Sequence, residues 1–211
     1  GRGGLLGSAL SRALARDGTI EFVPRARVAW HDQSLLKAQI EVATSAFARA
    51  AADAVHWAIH WAAGVGTMMS PEGVLLPETR ALAVLLDAIG RNRLLRGERG
   101  TFSLASSAGA VYAGSAAPLI SEAVPVAPTT AYARAKLEQE AMVTRLASEA
   151  GVSAFNARLS TLYGVCQSSA RGQGLLTHMS RCVIRNRAPQ IFVPPDPSPC
   201  TPPSPATAAR R

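Results

Sequence analysis

The apolar residues of this chain follow two spacings, one typical of amphipathic helices and the other of strands. Between Val55 and Trp61 every second residue is large and apolar, which favours a strand with one buried face. The whole pattern predicts helices over 5–15, 34–53, 70–89, 130–150 and 175–187, and strands over 19–23, 54–63, 101–105 and 152–159. Since helices and strands alternate, we expect an α/β fold with a doubly wound parallel sheet.

The two ends of the chain depart from this alternation. A glycine-rich segment starts at residue 1 with no strand before it, and seven of the 14 prolines lie in 194–211. A segment so rich in proline does not bury a core of its own. We therefore expect one folded domain over 1–193 and a disordered tail over 194–211, with the first strand missing.

Composition narrows the function classes. The 211 residues include 22 basic and 14 acidic side chains, a net charge of +8, and 20 of the basic residues are arginines spread along the chain. Their densest group, over 91–99, contains no aromatic residue that could stack on bases, so we expect no nucleic-acid partner. No apolar run reaches the ~20 residues that span a membrane. Three cysteines without metal-ligand spacing argue against a disulfide framework and a metal site, and the expected location is the cytoplasm.

Three short motifs carry candidate chemistry, and the first is the glycine-rich start. Gly1, Gly4 and Gly7 are three residues apart and lead directly into a predicted helix. Such a turn lets the backbone approach a pyrophosphate, while the helix N-terminus supplies N–H groups and a positive dipole end. The pattern therefore predicts a dinucleotide-binding turn, although any flexible glycine-rich segment would give the same spacing.

The second motif is a tyrosine and a lysine on one helix face. Tyr132 and Lys136 are four residues apart in the predicted helix over 130–150, so their side chains are neighbours. An ammonium beside a phenol favours the phenolate, which makes tyrosine a usable base near neutral pH. An ordinary surface pair is the alternative, but this chain has only two lysines, and a compact ammonium is retained here.

The third motif is a pair of hydroxyls where a predicted strand ends. Ser106 and Ser107 follow the strand over 101–105 and precede small residues. Ligands bind beyond the carboxyl ends of strands in open parallel sheets, so these hydroxyls are candidate binding groups. A plain strand-to-loop turn would have the same composition.

Taken together and in this order, the motifs resemble those of the extended short-chain dehydrogenase/reductases, specifically the NAD(P)-dependent epimerase/dehydratase family acting on nucleotide sugars. The resemblance runs from Gly1 to about Val193 and includes the strand end over 60–64 and the segment 157–164. It implies a Rossmann-like fold, a nucleotide-sugar substrate and a nicotinamide dinucleotide cofactor, with a second copy of the chain as a candidate partner in a homodimer. Members of the family build a C-terminal substrate lobe after the last helix, so the proline-rich segment over 194–211 implies that this lobe is largely absent.

The resemblance also implies roles for individual residues. Tyr132 would be the acid/base at a sugar hydroxyl, and Lys136 would lower its pKa and bind the nicotinamide ribose. Ser107, or with less support Ser106, would hydrogen-bond the reacting oxygen. The cofactor would be held by Gly1, Gly4, Gly7, Arg25, Arg27, Ala63 and Lys136.

Two departures from the family pattern bear on which cofactor the chain binds and which reaction it catalyses. The acid expected after the second strand is replaced by Arg25 and Arg27, which suit a 2′-phosphate; this favours NADP and leaves NAD open. Small residues over 108–110 stand where dehydratases of the family carry an acidic pair. We therefore expect an epimerase or a simple oxidoreductase. The alternatives are a non-catalytic dinucleotide-binding module and an inactive gene fragment on the same fold.

Overall fold

The computed structural model describes residues 1–24, 28–30, 32–164, 167 and 175–188. The chain forms two compact units, 1–167 and 168–211. Among the described residues the first unit contains α1 (Leu5–Arg16), α2 (Gln33–Ala50), β1 (Trp57–Trp61), α3 (Glu72–Arg91), a 3₁₀ turn (Arg93–Leu95), β2 (Gly100–Ser107), α4 (Ala108–Val111), α5 (Ala131–Ala150) and β3 (Ser153–Leu159). The second unit contains α6 (Leu175–Ile184).

The three strands form one parallel sheet in the order β1-β2-β3. Trp57 lies opposite Gly100, and Thr101 lies opposite Ser153. Helix α3 connects β1 to β2 and helix α5 connects β2 to β3, as parallel neighbours require. All three strands therefore end at the same edge of the sheet. This arrangement confirms the expected Rossmann-like α/β fold.

The hydrophobic core lies between the sheet and the layer formed by α3 and α5. Phe102 and Leu104 project from the same face of β2 and are fully buried. They pack with Leu82 of α3 and Val143 of α5, which are also fully buried. Burial of one such side chain stabilises the fold by roughly 1.5–3 kcal/mol. The alternating burial along β2 thus fixes which residues of that strand face the helices and which face the opposite side.

Helix α5 begins and ends where the sequence predicts. The Thr130 side chain accepts a hydrogen bond from the Ala133 N–H at 3.1 Å and caps the N-terminus. Gly151, with φ of 71°, ends the helix in the left-handed conformation that glycine adopts most readily. These two signals set the register of the helix that carries Tyr132 and Lys136.

The predicted strand over 19–23 is wrong. The segment has no regular secondary structure and pairs with no strand in the described part of the chain, and Ile20 is 95% exposed. Phe22 packs edge-on against Phe47 of α2, with ring centres 5.5 Å apart. A β-branched composition indicates suitability for a strand, but a strand also needs a neighbour for its N–H and C=O groups. The predicted tail over 194–211 and the domain limit at 193 lie outside the described residues.

Candidate functional site

The glycine-rich segment forms a tight turn against the carboxyl end of β1. The Gly4 N–H donates to the Gly1 carbonyl oxygen at 3.0 Å. A Cβ atom on Gly1 would lie 1.9 Å from the carbonyl oxygen of Ala62 and 2.8 Å from the nitrogen of Ala63, and one on Gly7 would lie 2.1 Å from the Gly1 carbonyl oxygen. Only glycine fits at positions 1 and 7. The turn therefore brings the predicted glycines and Ala63 into one place.

The N-terminus of α1 leaves this turn without a side-chain cap. Gly4 is the N-cap residue, and the first turn of the helix contains no acidic residue. The first N–H groups of a helix have no partner within the helix, and they carry the positive end of its dipole. An uncapped helix start behind a close-packed glycine turn fits the pyrophosphate of a dinucleotide.

A cation and an acid lie beside the same turn. Arg2 Nε is 2.8 Å from Glu21 Oε1, and Ser11 Oγ donates to the same oxygen at 2.9 Å. Glu21, expected inside a strand, is instead tied to the glycine turn by this exposed ion pair. Arg25 and Arg27, predicted to bind a 2′-phosphate, lie outside the described residues.

Lys136 is buried and anchored at the carboxyl end of β2. Its Nζ donates to the carbonyl oxygen of Ala105 at 3.1 Å and to Gln139 Oε1 at 3.2 Å. Gln139 is itself buried, and its Nε2 donates to Thr79 Oγ1 of α3 at 3.1 Å. Two elements therefore hold the ammonium in place, with β2 providing a direct acceptor and α3 acting through Gln139.

Tyr132 lies one helical turn before Lys136 and is half-buried. Lys136 Nζ is 5.6 Å from the centre of the Tyr132 ring, so the predicted pair does share a face of α5. Gly66 also lies near the ring: a Cβ atom there would be 3.5 Å from Tyr132 Cδ2 and 3.3 Å from Glu78 Oε2. The phenol thus lies near both a cation and an anion.

The effect of these surroundings on Tyr132 differs from the sequence prediction. Burial of the phenol raises the pKa of Tyr132, and the negative charge of Glu78 raises it further. Burial lowers the pKa of Lys136, while Glu78 and Glu140 act in the opposite direction. The predicted phenolate-favouring effect of Lys136 is therefore outweighed among the described residues, because desolvation and Glu78 both disfavour a negative phenolate.

The two candidate serines have different surroundings. The hydroxyl of Ser106 is buried and donates to Glu140 Oε1. Ser107 ends β2, begins the turn into α4 and is half-buried, and its hydroxyl forms no hydrogen bond within the described residues. Of the two, Ser107 therefore has the hydroxyl free to contact a ligand.

Behind the serines lies an ion pair that fixes the ends of β2 and β3 to α5. Arg158 Nη2 is 2.7 Å from Glu140 Oε2, and Arg158 Nε donates to Glu140 Oε1 at 3.0 Å. The same guanidinium donates to the hydroxyl of Tyr112 and lies over its ring at 5.2 Å. The hydrogen bond to Glu140 raises the pKa of Arg158, so the guanidinium stays charged.

Sequence reasoning missed Glu78, Gln139 and Glu140. Each lies on a helix, where an acid or amide is most often a solvated surface residue. Gln139 and Glu140 are three and four residues from Lys136, and that spacing could have placed them near the lysine. Glu78 has no such local signal, since only the packing of α3 against α5 brings it to the site.

The chain resembles known proteins in sequence and in fold. A model of the NAD dependent epimerase/dehydratase family matches residues 1–198. No match was found among curated protein sequences. No helix in the described ranges is long and apolar enough to cross a membrane.

Several solved structures share the fold. UDP-glucose 4-epimerase from Thermotoga maritima, solved with UDP-glucose, is 18% identical with a TM-score of 0.65, covering 92% of this chain and 64% of that one. UDP-glucuronic acid 4-epimerase from Bacillus cereus, solved with NAD, is 16% identical with a TM-score of 0.63 over 90% and 64%. RMD from Pseudomonas aeruginosa, solved with NADPH, is 23% identical with a TM-score of 0.58 over 81% and 54%.

This chain therefore spans less than two thirds of the length of each of these structures. The likeness at these identities establishes the fold, and the family model establishes the relationship. The chain belongs to the NAD dependent epimerase/dehydratase family.

Proposed function

We propose that this chain is the cofactor-binding and catalytic part of an NAD(P)-dependent epimerase or oxidoreductase that acts on a nucleotide sugar. The observation that carries the proposal is the anchored Lys136, whose Nζ is held by Ala105 at the carboxyl end of β2 and lies 5.6 Å from the Tyr132 ring. Ligands of open parallel sheets bind at this end of the strands. The uncapped start of α1 supplies a complementary site for a pyrophosphate.

The residues divide the chemistry between them. A bound nicotinamide dinucleotide would supply the acceptor and donor of a hydride. Tyr132 takes the proton from a sugar hydroxyl when the sugar carbon is oxidised, and it returns a proton to the carbonyl oxygen when that carbon is reduced. Ser107 donates a hydrogen bond to the reacting oxygen. Lys136 lowers the cost of the phenolate and binds the ribose of the cofactor.

The absence of an acidic pair favours epimerase or reductase chemistry over dehydration. Elimination of water needs an acid and a base beside Tyr132, and residues 108–110 are alanine, glycine and alanine. The first turn after β2 therefore carries no carboxyl group that could act as the acid or the base of an elimination. UDP-sugars are the first substrates to test. The Thermotoga maritima structure contains UDP-glucose, and the Bacillus cereus enzyme is named for UDP-glucuronic acid.

NADP is the cofactor that we propose, on the basis of Arg25 and Arg27 in the sequence and of Arg2 beside the glycine turn. Glu21 is the group that would instead favour the free ribose hydroxyl of NAD. The variant Glu21→Gln separates the two, with Glu41→Gln of α2, a half-exposed acid that is also paired with an arginine, as a matched control. If the arginines bind a 2′-phosphate, Glu21→Gln strengthens NADPH binding and leaves NADH binding unchanged; weaker NADH binding with unchanged NADPH binding would assign Glu21 to the NAD ribose.

A non-catalytic dinucleotide-binding module is the second candidate. Such a module would use the same glycine turn as the proposed enzyme to bind the cofactor, but it would need no proton transfer at Tyr132. The test is turnover of UDP-glucose and UDP-glucuronic acid by the purified chain with NAD or NADP, followed by chromatography of the sugar product. Conversion that disappears in Tyr132→Phe supports the enzyme; cofactor binding with no conversion, unchanged by Tyr132→Phe, supports the module. Cytoplasmic location and homodimer formation stay predictions.

A further inference from the structure

The carboxylate of Glu78 lies where helix α3, the loop after β1 and the Tyr132 ring meet. Glu78 Oε1 accepts hydrogen bonds from the N–H groups of Val65 and Gly66, the second at 2.8 Å. A Cβ atom on Gly66 would be 3.3 Å from Glu78 Oε2 and 3.5 Å from Tyr132 Cδ2. Gly66 therefore lies close to both the Glu78 carboxylate and the Tyr132 ring.

The loop over 64–66, here called the glycine loop, is shaped around this carboxylate. Gly64 has φ of 146°, a conformation that side chains of L-residues rarely adopt. A Cβ atom there would lie 2.8 Å from Glu78 Oε2. Two successive N–H groups converge on one carboxylate oxygen, and hydrogen bonds to an ionised acceptor are about twice as strong as neutral ones. A larger residue at 64 would be strained in this conformation, and one at 66 would bring its Cβ within 2.5 Å of Leu75 Cδ2.

We propose that Glu78 is a positioning residue for Tyr132: its carboxylate holds the glycine loop against the phenol ring and sets a negative charge there that opposes the positive charge of Lys136. The proposal rests on the role of Tyr132 in the proposed function. Nothing in the local sequence around Tyr132 indicates this contact, which exists because α3 packs against α5.

The charges around the phenol support this role. The groups that face it are Lys136 on its own helix and Glu78 on α3, and Glu140 acts on Lys136 from one turn further along α5. The negative charge of Glu78 disfavours the phenolate, so Tyr132 rests as a proton donor. In the direction that reduces a sugar carbonyl, the phenol already carries the proton that the carbonyl oxygen receives. In the oxidising direction the phenol must first lose that proton to solvent, and the negative charge of Glu78 opposes this loss.

The charge can be tested without turnover, on the purified chain with ¹³Cζ-labelled tyrosine. The chain has three tyrosines, and Tyr132→Phe identifies the signal of interest. Glu78→Gln keeps a carbonyl acceptor for the glycine loop and removes the charge. We expect the midpoint of the Tyr132 titration to move to lower pH in Glu78→Gln and to stay unchanged in the control Glu72→Gln, an exposed acid in the first turn of α3. An unchanged midpoint in Glu78→Gln would overturn the proposed role of the charge.

The positioning role has its own readout in amide hydrogen exchange. In Glu78→Ala the Val65 and Gly66 amides lose their acceptor, and we expect them to exchange about tenfold faster, while Glu78→Gln keeps them protected. Equal exchange in Glu78→Ala and the parent chain would overturn the positioning role. Both readouts are independent of activity, so a shifted Tyr132 titration in a chain that turns over no sugar would reject the proposed function and keep this inference.

Discussion

The ammonium of Lys136 is hydrogen-bonded to the carbonyl oxygen of Ala105, two residues before β2 ends. This single contact links the helix that carries the candidate acid/base to the edge of the sheet where ligands bind. Lys136 therefore has a structural and a chemical role: it joins α5 to β2, and it presents a buried positive charge to Tyr132.

Replacing Lys136 tests both roles. We expect Lys136→Ala to weaken cofactor binding and to lower turnover at saturating cofactor by at least about tenfold each, because in the proposed function the ammonium binds the ribose and stabilises the phenolate. Lys37→Ala is the matched control, since Lys37 is the other lysine of the chain and is exposed on α2. Fluorescence titration with NADPH and steady-state turnover measure the two effects. Similar small losses of cofactor affinity and turnover in both variants would show that Lys136 contributes only to packing.

The glycine turn makes a prediction about shape. A Cβ atom on Gly7 would lie 2.1 Å from the Gly1 carbonyl oxygen, whereas one on Gly3 meets nothing within 4 Å. We expect Gly7→Ala to weaken NADPH and NADH binding by about tenfold or more, equal to about 1.4 kcal/mol, and Gly3→Ala to leave binding unchanged. Isothermal titration calorimetry of both variants measures this difference. Equal affinities would show that the turn does not form the pyrophosphate site.

The Glu140–Arg158 pair makes a prediction about stability. Removing Glu140 leaves a partly buried guanidinium without its carboxylate, so we expect Glu140→Ala to lower the free energy of unfolding by roughly 3 kcal/mol. The neighbouring Glu138 is exposed on the same helix, and Glu138→Ala should stay within about 0.5 kcal/mol of the parent chain. Urea denaturation followed by circular dichroism gives both values. A loss shared equally by the two variants would exclude a special contribution from the buried pair.

Local features of the sequence predict local features of the site. Tyr132 and Lys136 are four residues apart in a helix bounded by Thr130 and Gly151, so spacing and caps suffice to place them on one face. The parallel sheet likewise follows from alternating elements, since strands linked by helices must run in the same direction.

Tertiary contacts account for what the sequence does not predict. The strand over 19–23 was wrong because pairing depends on a neighbour that composition does not specify. Glu78 was missed because the packing of α3 on α5 brings it to Tyr132, and the same packing reverses the expected direction of the Tyr132 pKa. Residue spacing places Tyr132 and Lys136 on one helix face, and packing determines the charges around them.

The most direct test of the proposed enzyme is the rate of sugar conversion by the parent chain and by Tyr132→Phe, measured with UDP-glucose at saturating NAD or NADP. The variant keeps the ring and loses the hydroxyl, so cofactor affinity should stay nearly unchanged. We predict that conversion falls by roughly 10²–10⁴-fold, the contribution of a positioned acid/base. Conversion at the parent rate in Tyr132→Phe, with the cofactor bound equally well, would contradict the assignment of Tyr132 as the acid/base.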